Sequence, residues 1–362
     1  MAEVREPRHL PKLDGLRAVS IGLVLVDHFL PYRIGTGGTG VTIFFVLSGY
    51  LITSILIGYS VRMSAGTAAA TFFWRRILRL SPAYYLCIAL AVLFNLAGMR
   101  ETWWINVLYL SNIKIALQGT FGSAGHFWSL SVEEQFYILW FFVIIVIPHR
   151  FLLAIILFSI IETIAFHWAA YLYGANHLSY VLLPGSMGSL AAGALIAYVL
   201  AYCPRSALYG SFLKARMLLL FLSAVIVALS VYFENVFIWT IAYPFSPLMA
   251  ACLVTIAIED KADWKTDWLA NPIVTHVGKV SYGIFVYHYF VPQIIDPYLT
   301  LNWVHSYTLT VLITFVVRCA ISLSVAELSW RFVEQPILKF KSSVPFLSYN
   351  LSGTPRPRLV QE

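Results

Sequence analysis

The chain has 362 residues, of which 60% are hydrophobic and only 11% charged, with a mean hydropathy of +0.78. Soluble domains carry roughly a quarter charged residues, so this composition excludes an ordinary soluble fold. The net charge of +7 does not point to nucleic acid, because the sequence leaves no soluble basic domain to hold a duplex.

The expected fold is all-α, a polytopic membrane bundle of about ten transmembrane helices. Apolar runs long enough to cross about 30 Å of hydrocarbon fall near 14–32, 41–59, 80–98, 127–147, 151–172, 180–202, 217–233, 236–258, 280–299 and 306–328. With a cytoplasmic N-terminus, twenty of the 24 Lys and Arg residues gather at cytoplasmic segments and helix ends, from Arg5 and Arg8 to Arg356 and Arg358. Arg33, Arg100 and Lys114 fall opposite, and Arg318 lies inside the last span. This bias explains the net charge and predicts both termini in the cytoplasm. Residues 1–341 read as one transmembrane domain, and 342–362, with three prolines and a glycine, as a flexible cytoplasmic tail. No cleavable leader is expected, because the first apolar run is long and contains His28. Cys87, Cys203, Cys252 and Cys319 stand singly without metal-type spacing, so neither disulfides nor a bound metal is expected.

The first span carries Arg17 and His28. Eleven residues make three helical turns plus about 20° and rise about 16 Å, so the guanidinium and the imidazole share one face. Ionisable groups inside a membrane read as functional, although an anchoring cation and a packed histidine explain the pair equally. Asp14, at i−3, can hold Arg17, whereas Asp27 points about 100° away from His28 and is not read as its direct partner.

The second span opens with Gly35, Gly37, Gly38 and Gly40 and continues to Ser48 and Gly49. Helix-N-terminal amides beside His28 would suit an oxyanion; close packing of small residues is the plainer reading. In FFWRRILRLSPAYYL (72–86), Arg75, Arg76 and Arg79 lie three and four residues apart on one helix face. Guanidiniums bind phosphate oxygens bidentately, so this cluster with Arg17 is a candidate phosphate site, while positive-inside anchoring alone would also place arginines there.

GHFWSLSVEEQFYILW (125–140) brings His126, Glu133, Glu134 and Tyr137 into the fourth span. The acids can be helix-dipole partners; alternatively one orients a histidine, as the third member of a triad does, while the other braces an arginine. His288, in mid-span, either lines the pathway or satisfies a buried polar contact. Arg331 and Glu334 read as a surface ion pair. Trp103, Trp104 and Tyr109, on the expected outer side, are candidates to stack on the rings of a ligand, or to anchor the protein at the interface.

Taken in order, LDGLRAVSIGLVLVDH (13–28), GVTIFFVLSGYLIT (40–53), FFWRRILRLSPAYYL (72–86), HFWSLSVEEQFY (126–137), SYGIFVYH (281–288) and RFVEQP (331–336) resemble the acyltransferase 3 family of integral membrane O-acyltransferases. The resemblance implies transfer of an acyl group, usually acetyl, from cytoplasmic acetyl-CoA or another acyl-CoA to a hydroxyl of a surface carbohydrate or glycolipid, in a bacterial inner membrane. Arg17 and His28 match its Arg-x₁₀-His motif, Arg76 and Arg79 its Arg-x-x-Arg motif, and Glu134 or Glu133 its acid after Ser-Leu-Ser. Thr42 stands where many members carry an acid. On this reading Arg17, Ser48, Arg75, Arg76 and Arg79 hold the CoA. His28 acts as base or transient acyl carrier with Glu133 or Glu134, and Asp27, His126, Tyr137 and His288 meet the acceptor. Some relatives append an extracytoplasmic domain; without one, the membrane domain is expected to finish the transfer itself or to hand on to another protein. A transporter or flippase for a lipid-linked sugar or small anion is the alternative, with no CoA chemistry.

Overall fold

The computed structural model describes residues 10–32, 34–122, 124–233, 235–259, 266–299 and 305–342. The expected tail, from 343 onward, and the basic residues Arg5, Arg8, Arg33, Lys261, Lys265, Arg356 and Arg358 lie outside them. Among the described residues there is no strand, and ten long helices carry the fold. They are α1 (Pro11–Phe29), α2 (Thr36–Arg62), α3 (Ala65–Leu93), α4 (Phe127–Val146) and α5 (Leu152–Leu172). Then come α6 (Leu183–Tyr202), α7 (Ala207–Phe233), α8 (Phe245–Ile258), α9 (Pro272–Tyr287) and α10 (Tyr307–Ser329).

Eight of these, some lengthened by short adjoining helices, are long and apolar enough to cross a membrane. The exceptions are α1, which carries Lys12, Asp14, Arg17, Asp27 and His28, and the 16-residue α9, with His276 and Lys279. These two polar helices are central: α1 packs on α2, α8 and α9, and α9 also on α3 and α10. Around them, α7 and α10 turn apolar side chains such as Phe221, Leu222, Leu312 and Val316 outward, where hydrocarbon is the compatible neighbour and every helical backbone group is already paired.

Small residues bring the central helices into backbone contact. A Cβ on Gly49 of α2 would meet the Leu190 carbonyl oxygen of α6, and one on Gly193 the Val46 carbonyl oxygen of α2. Likewise a Cβ on Gly278 of α9 would overlap the Asp14 carbonyl oxygen of α1. Because the Asp14–Gly278 contact near one end is followed by the His28–His288 contact near the other, α1 and α9 run parallel.

Several boundaries differ from the sequence expectation: α7 starts at Ala207 rather than near 217 and α9 at Pro272 rather than near 280. Helix α3 starts at Ala65 rather than near 80, since Ser64 accepts a hydrogen bond from the Thr67 amide at 3.4 Å and an alanine-rich first turn favours helix. Helix α9 ends at Tyr287, where a tighter turn, His288–Phe290, redirects the chain before Val291–Ile295. The expected surface pair of Arg331 with Glu334 is not formed. A single π turn, Trp330–Glu334, rotates Glu334 inward to accept from the Ser329 hydroxyl at 3.0 Å, and Arg331 pairs instead with Glu327 of α10.

Candidate active site

Three cavities lie in series along the bundle. The first, a basic mouth of about 540 Å³, opens at the end that holds the N-terminus of α1 and the last described residues. Arg17, Arg62, Arg75, Arg76, Arg79 and Lys341 line it, against one carboxylate, Asp14. That carboxylate accepts from Arg17 Nη1 at 3.0 Å, as the i,i+3 spacing anticipates. On α3, Arg75 Nη1 donates to the Tyr59 hydroxyl at 2.8 Å while its buried Nε has no protein partner. Arg76 lies over the Tyr137 ring, 5.3 Å from its centroid. A cavity so rich in guanidinium donors suits a ligand bearing several phosphate oxygens.

Arg17, Arg76 and Arg79 also border a narrower neck of about 90 Å³, together with Ser48, Glu133, Tyr137 and Lys279. Ser48 and Tyr137 share a hydrogen bond of 2.9 Å, and Glu133 neighbours both hydroxyls and the Arg76 and Arg17 charges. Glu133 is therefore grouped with the arginines. Glu133 comes seven residues after His126 on the same helix, about 10 Å further toward the mouth, and Glu134 looks toward Tyr84, Tyr109 and Tyr282.

Beyond the neck lies a chamber of about 600 Å³ lined by His28, His126, Asp27, Tyr289, Trp128 and Tyr180, among others. Val41 and Phe285 line both the neck and this chamber, and Phe285 meets Phe44 edge to face, 6.3 Å between centroids. His28 Nδ1 and His288 Nε2 are 2.7 Å apart with nearly coplanar rings, and His288 Nδ1 is 2.7 Å from the Phe285 carbonyl oxygen. A carbonyl only accepts, so His288 carries its hydrogen on Nδ1 and accepts at Nε2. His28 then donates from Nδ1, and its own lone pair sits on Nε2. The carboxylate expected beside His28 is thus replaced at Nδ1 by a second imidazole.

His126 completes the cluster, stacked on Tyr289 at 4.8 Å and 5.2 Å from the His288 ring. Its Nε2 donates to the Val286 carbonyl oxygen at 3.1 Å. Asp27 accepts from the Gly35 amide at 2.6 Å, so a carboxylate occupies one of the amides at the start of α2 that would suit an oxyanion. Behind the site, Arg318 bonds both Asp296 oxygens, at 3.1 and 2.5 Å, and reaches the Phe29 carbonyl oxygen at 3.0 Å, pinning the end of α1 next to His28. Trp103, Trp104 and Tyr109 line none of these cavities; Tyr109 stacks on Tyr84 at 4.5 Å.

Residues 10–327 match the family model described as an acyltransferase domain, the acyltransferase 3 family. The chain belongs to this family. Among curated relatives, O-acetyltransferase OatA of Staphylococcus aureus is 26% identical, over 94% of this chain and 59% of its own length. YrhL of Bacillus subtilis, provisionally named a peptidoglycan O-acetyltransferase, is 30% identical, over 91% of this chain and 55% of its own. The chain therefore spans less than two thirds of the length of the curated relatives it matches. No solved structure matches it.

Sequence reasoning singled out the arginines and three of the histidines but missed Arg318 as a brace, and also His167, Trp239 and Tyr243. These last three come from α5 and from the segment between α7 and α8, and line a further pocket beside the histidine chamber. Their lone positions in apolar runs gave no signal.

Proposed function

We propose that this protein is a multi-pass O-acetyltransferase of a bacterial inner membrane, carrying an acetyl group from cytoplasmic acetyl-CoA to a carbohydrate hydroxyl. The observation that carries the reading is the placement of a basic mouth and a histidine chamber on either side of one narrow neck, with Arg17 and His28 on the same helix about 16 Å apart in rise. That rise approximates the pantetheine arm between the coenzyme's phosphates and its thioester. The phosphates are held by Arg17, Arg75, Arg76 and Arg79, with Ser48 and Tyr137 along the arm, and the thioester reaches the Val41–Phe285 wall. The name of YrhL, which mentions peptidoglycan, favours a cell-wall or other surface glycan as acceptor.

His28 Nε2 takes the proton of the acceptor hydroxyl as its oxygen attacks the thioester carbonyl. The C–S bond then breaks, and the imidazolium returns the proton to the departing thiolate, giving an O-acetyl ester and free CoA. His288 accepts from Nδ1 throughout, holding the tautomer and orienting the ring as its charge develops. Apolar walls keep bulk water from the thioester and limit hydrolysis.

The purified protein tests this by acceptor-dependent CoA release. His28→Ala is expected to keep its thermal melt and lose about 10²–10⁴-fold in turnover, the usual worth of a general base. Wild-type turnover in that variant removes His28 from the chemistry. Failure of acetyl-CoA to bind the wild-type protein favours a transporter.

A further inference from the structure

A side pocket of about 80 Å³ adjoins the histidine chamber, sharing Gly38, Trp128, Tyr180 and Trp239 as walls. It is lined further by His167, Tyr243, Ser186, Ser189 and Ser246, and among the described residues by no Asp, Glu, Lys or Arg. His167, on α5, is 2% exposed. Its Nε2 lies 3.0 Å from the Gly185 carbonyl oxygen, which also accepts from the Tyr243 hydroxyl at 2.6 Å, and the two rings stack at 3.6 Å. Since the carbonyl can only accept, Nε2 carries the hydrogen and the lone pair falls on Nδ1, which is buried and has no hydrogen-bond partner.

The same deficit recurs twice in the adjoining chamber. His126 also donates from Nε2 to a carbonyl, leaving an unpartnered Nδ1, and the buried Oδ1 of Asn176 is unpartnered as well. All three orphans are acceptors. Burying an unmet acceptor costs about 1–3 kcal/mol, so these positions call for a ligand rich in donors. A phosphate or carboxylate offers only acceptors and would find no basic side chain among the described residues that line the side pocket. Hydroxyls and acetamido N–H groups supply donors, and Trp128, Tyr180 and Trp239 offer flat faces to a sugar ring. The side pocket is several times larger than the ~10–15 Å³ that a single water needs, and it adjoins the chamber of about 600 Å³.

We propose that this pocket is a second, non-reacting sugar subsite, so that the acceptor is an uncharged oligosaccharide. One residue meets His28 and His126, while its neighbour donates to His167 Nδ1 and packs on Trp239. This rests on the O-acetyltransferase reading of the histidine chamber.

The test compares N-acetylglucosamine with its linear trimer, as acetyl acceptors and by quenching of tryptophan fluorescence. In the wild-type protein the trimer is expected to show a KM and a dissociation constant at least tenfold below the monosaccharide's. His167→Leu is expected to bring that ratio close to one, and His167→Gln, which keeps one donor and one acceptor, to restore most of it. Should His167→Leu fail to fold, Trp239→Leu serves in its place and is expected to lose the same preference. Equal handling of monomer and trimer by the wild type, or an undiminished trimer preference in the folded variants, overturns the subsite and leaves the O-acetyltransferase reading standing. Loss of acetyl-CoA binding, measured separately by calorimetry, would instead count against that reading.

Discussion

At the scale of single residues, the chain of hydrogen bonds from the Phe285 carbonyl through His288 to His28 decides which nitrogen of His28 can accept a proton. A group that only accepts at His288 would preserve the effect. We expect His288→Leu to lower kcat about 10–100-fold with little change in the KM for acetyl-CoA, and His288→Gln, whose amide oxygen can accept from Nδ1, to recover much of it. Equal loss in both variants would assign His288 a packing role alone. The Arg17–His28 relation was legible in the sequence because one helix encodes it. The His28–His288 bond was not, because 260 positions separate the partners and pathway lining or a buried contact fitted His288 equally well. Glu133 and Glu134 were legible as functional candidates, but distance along α4 from His126 groups Glu133 with the arginines.

At the scale of elements, the polar helices α1 and α9 are held together by a missing side chain. Gly278→Ala places a methyl 1.9 Å from the Asp14 carbonyl oxygen, a backbone atom that cannot swing aside. Overpacking of this kind costs about 1–3 kcal/mol. A lowered melting temperature is expected, together with a drop in acetyl transfer, because spreading α1 from α9 also stretches the histidine pair. An unchanged melt would show that the two helices separate freely. Most span positions could be read from apolar runs, and the error at α3 is instructive. Three arginines look like the end of a span, yet Ser64 and the alanines behind it extend the helix, so those arginines project from its wall into the mouth. The π turn that hides Glu334 was illegible for a related reason: one extra residue in a turn leaves no mark in hydropathy.

For the whole molecule, charge is partitioned between the cavities: among the described residues six cations against one carboxylate line the mouth, and histidines, hydroxyls and aromatic rings with the single acid Asp27 lie beyond the neck. Acetyl-CoA at 100 times its dissociation constant should stabilise the protein by about 2.7 kcal/mol, visible as a raised melting temperature that declines as salt screens the guanidiniums. Arg76→Ala is expected to weaken that binding about tenfold by calorimetry, and unchanged affinity would remove Arg76 from the phosphate site. Composition and cation bias foretold a membrane bundle with a basic end. The aromatic side pocket was beyond reach, since α5, α6 and the segment before α8 meet only in three dimensions.

The greasy partition of Val41, Phe44 and Phe285 carries a second duty. A protein that admitted, as proposed, a nucleotide from one aqueous compartment and a sugar from the other would be one broken wall away from being a leak, and a column of water through it would short-circuit the proton gradient. Side chains that refuse to be wetted act as a dielectric plug, so shaving Val41 to glycine should cost the cell its insulation before it costs the enzyme its chemistry.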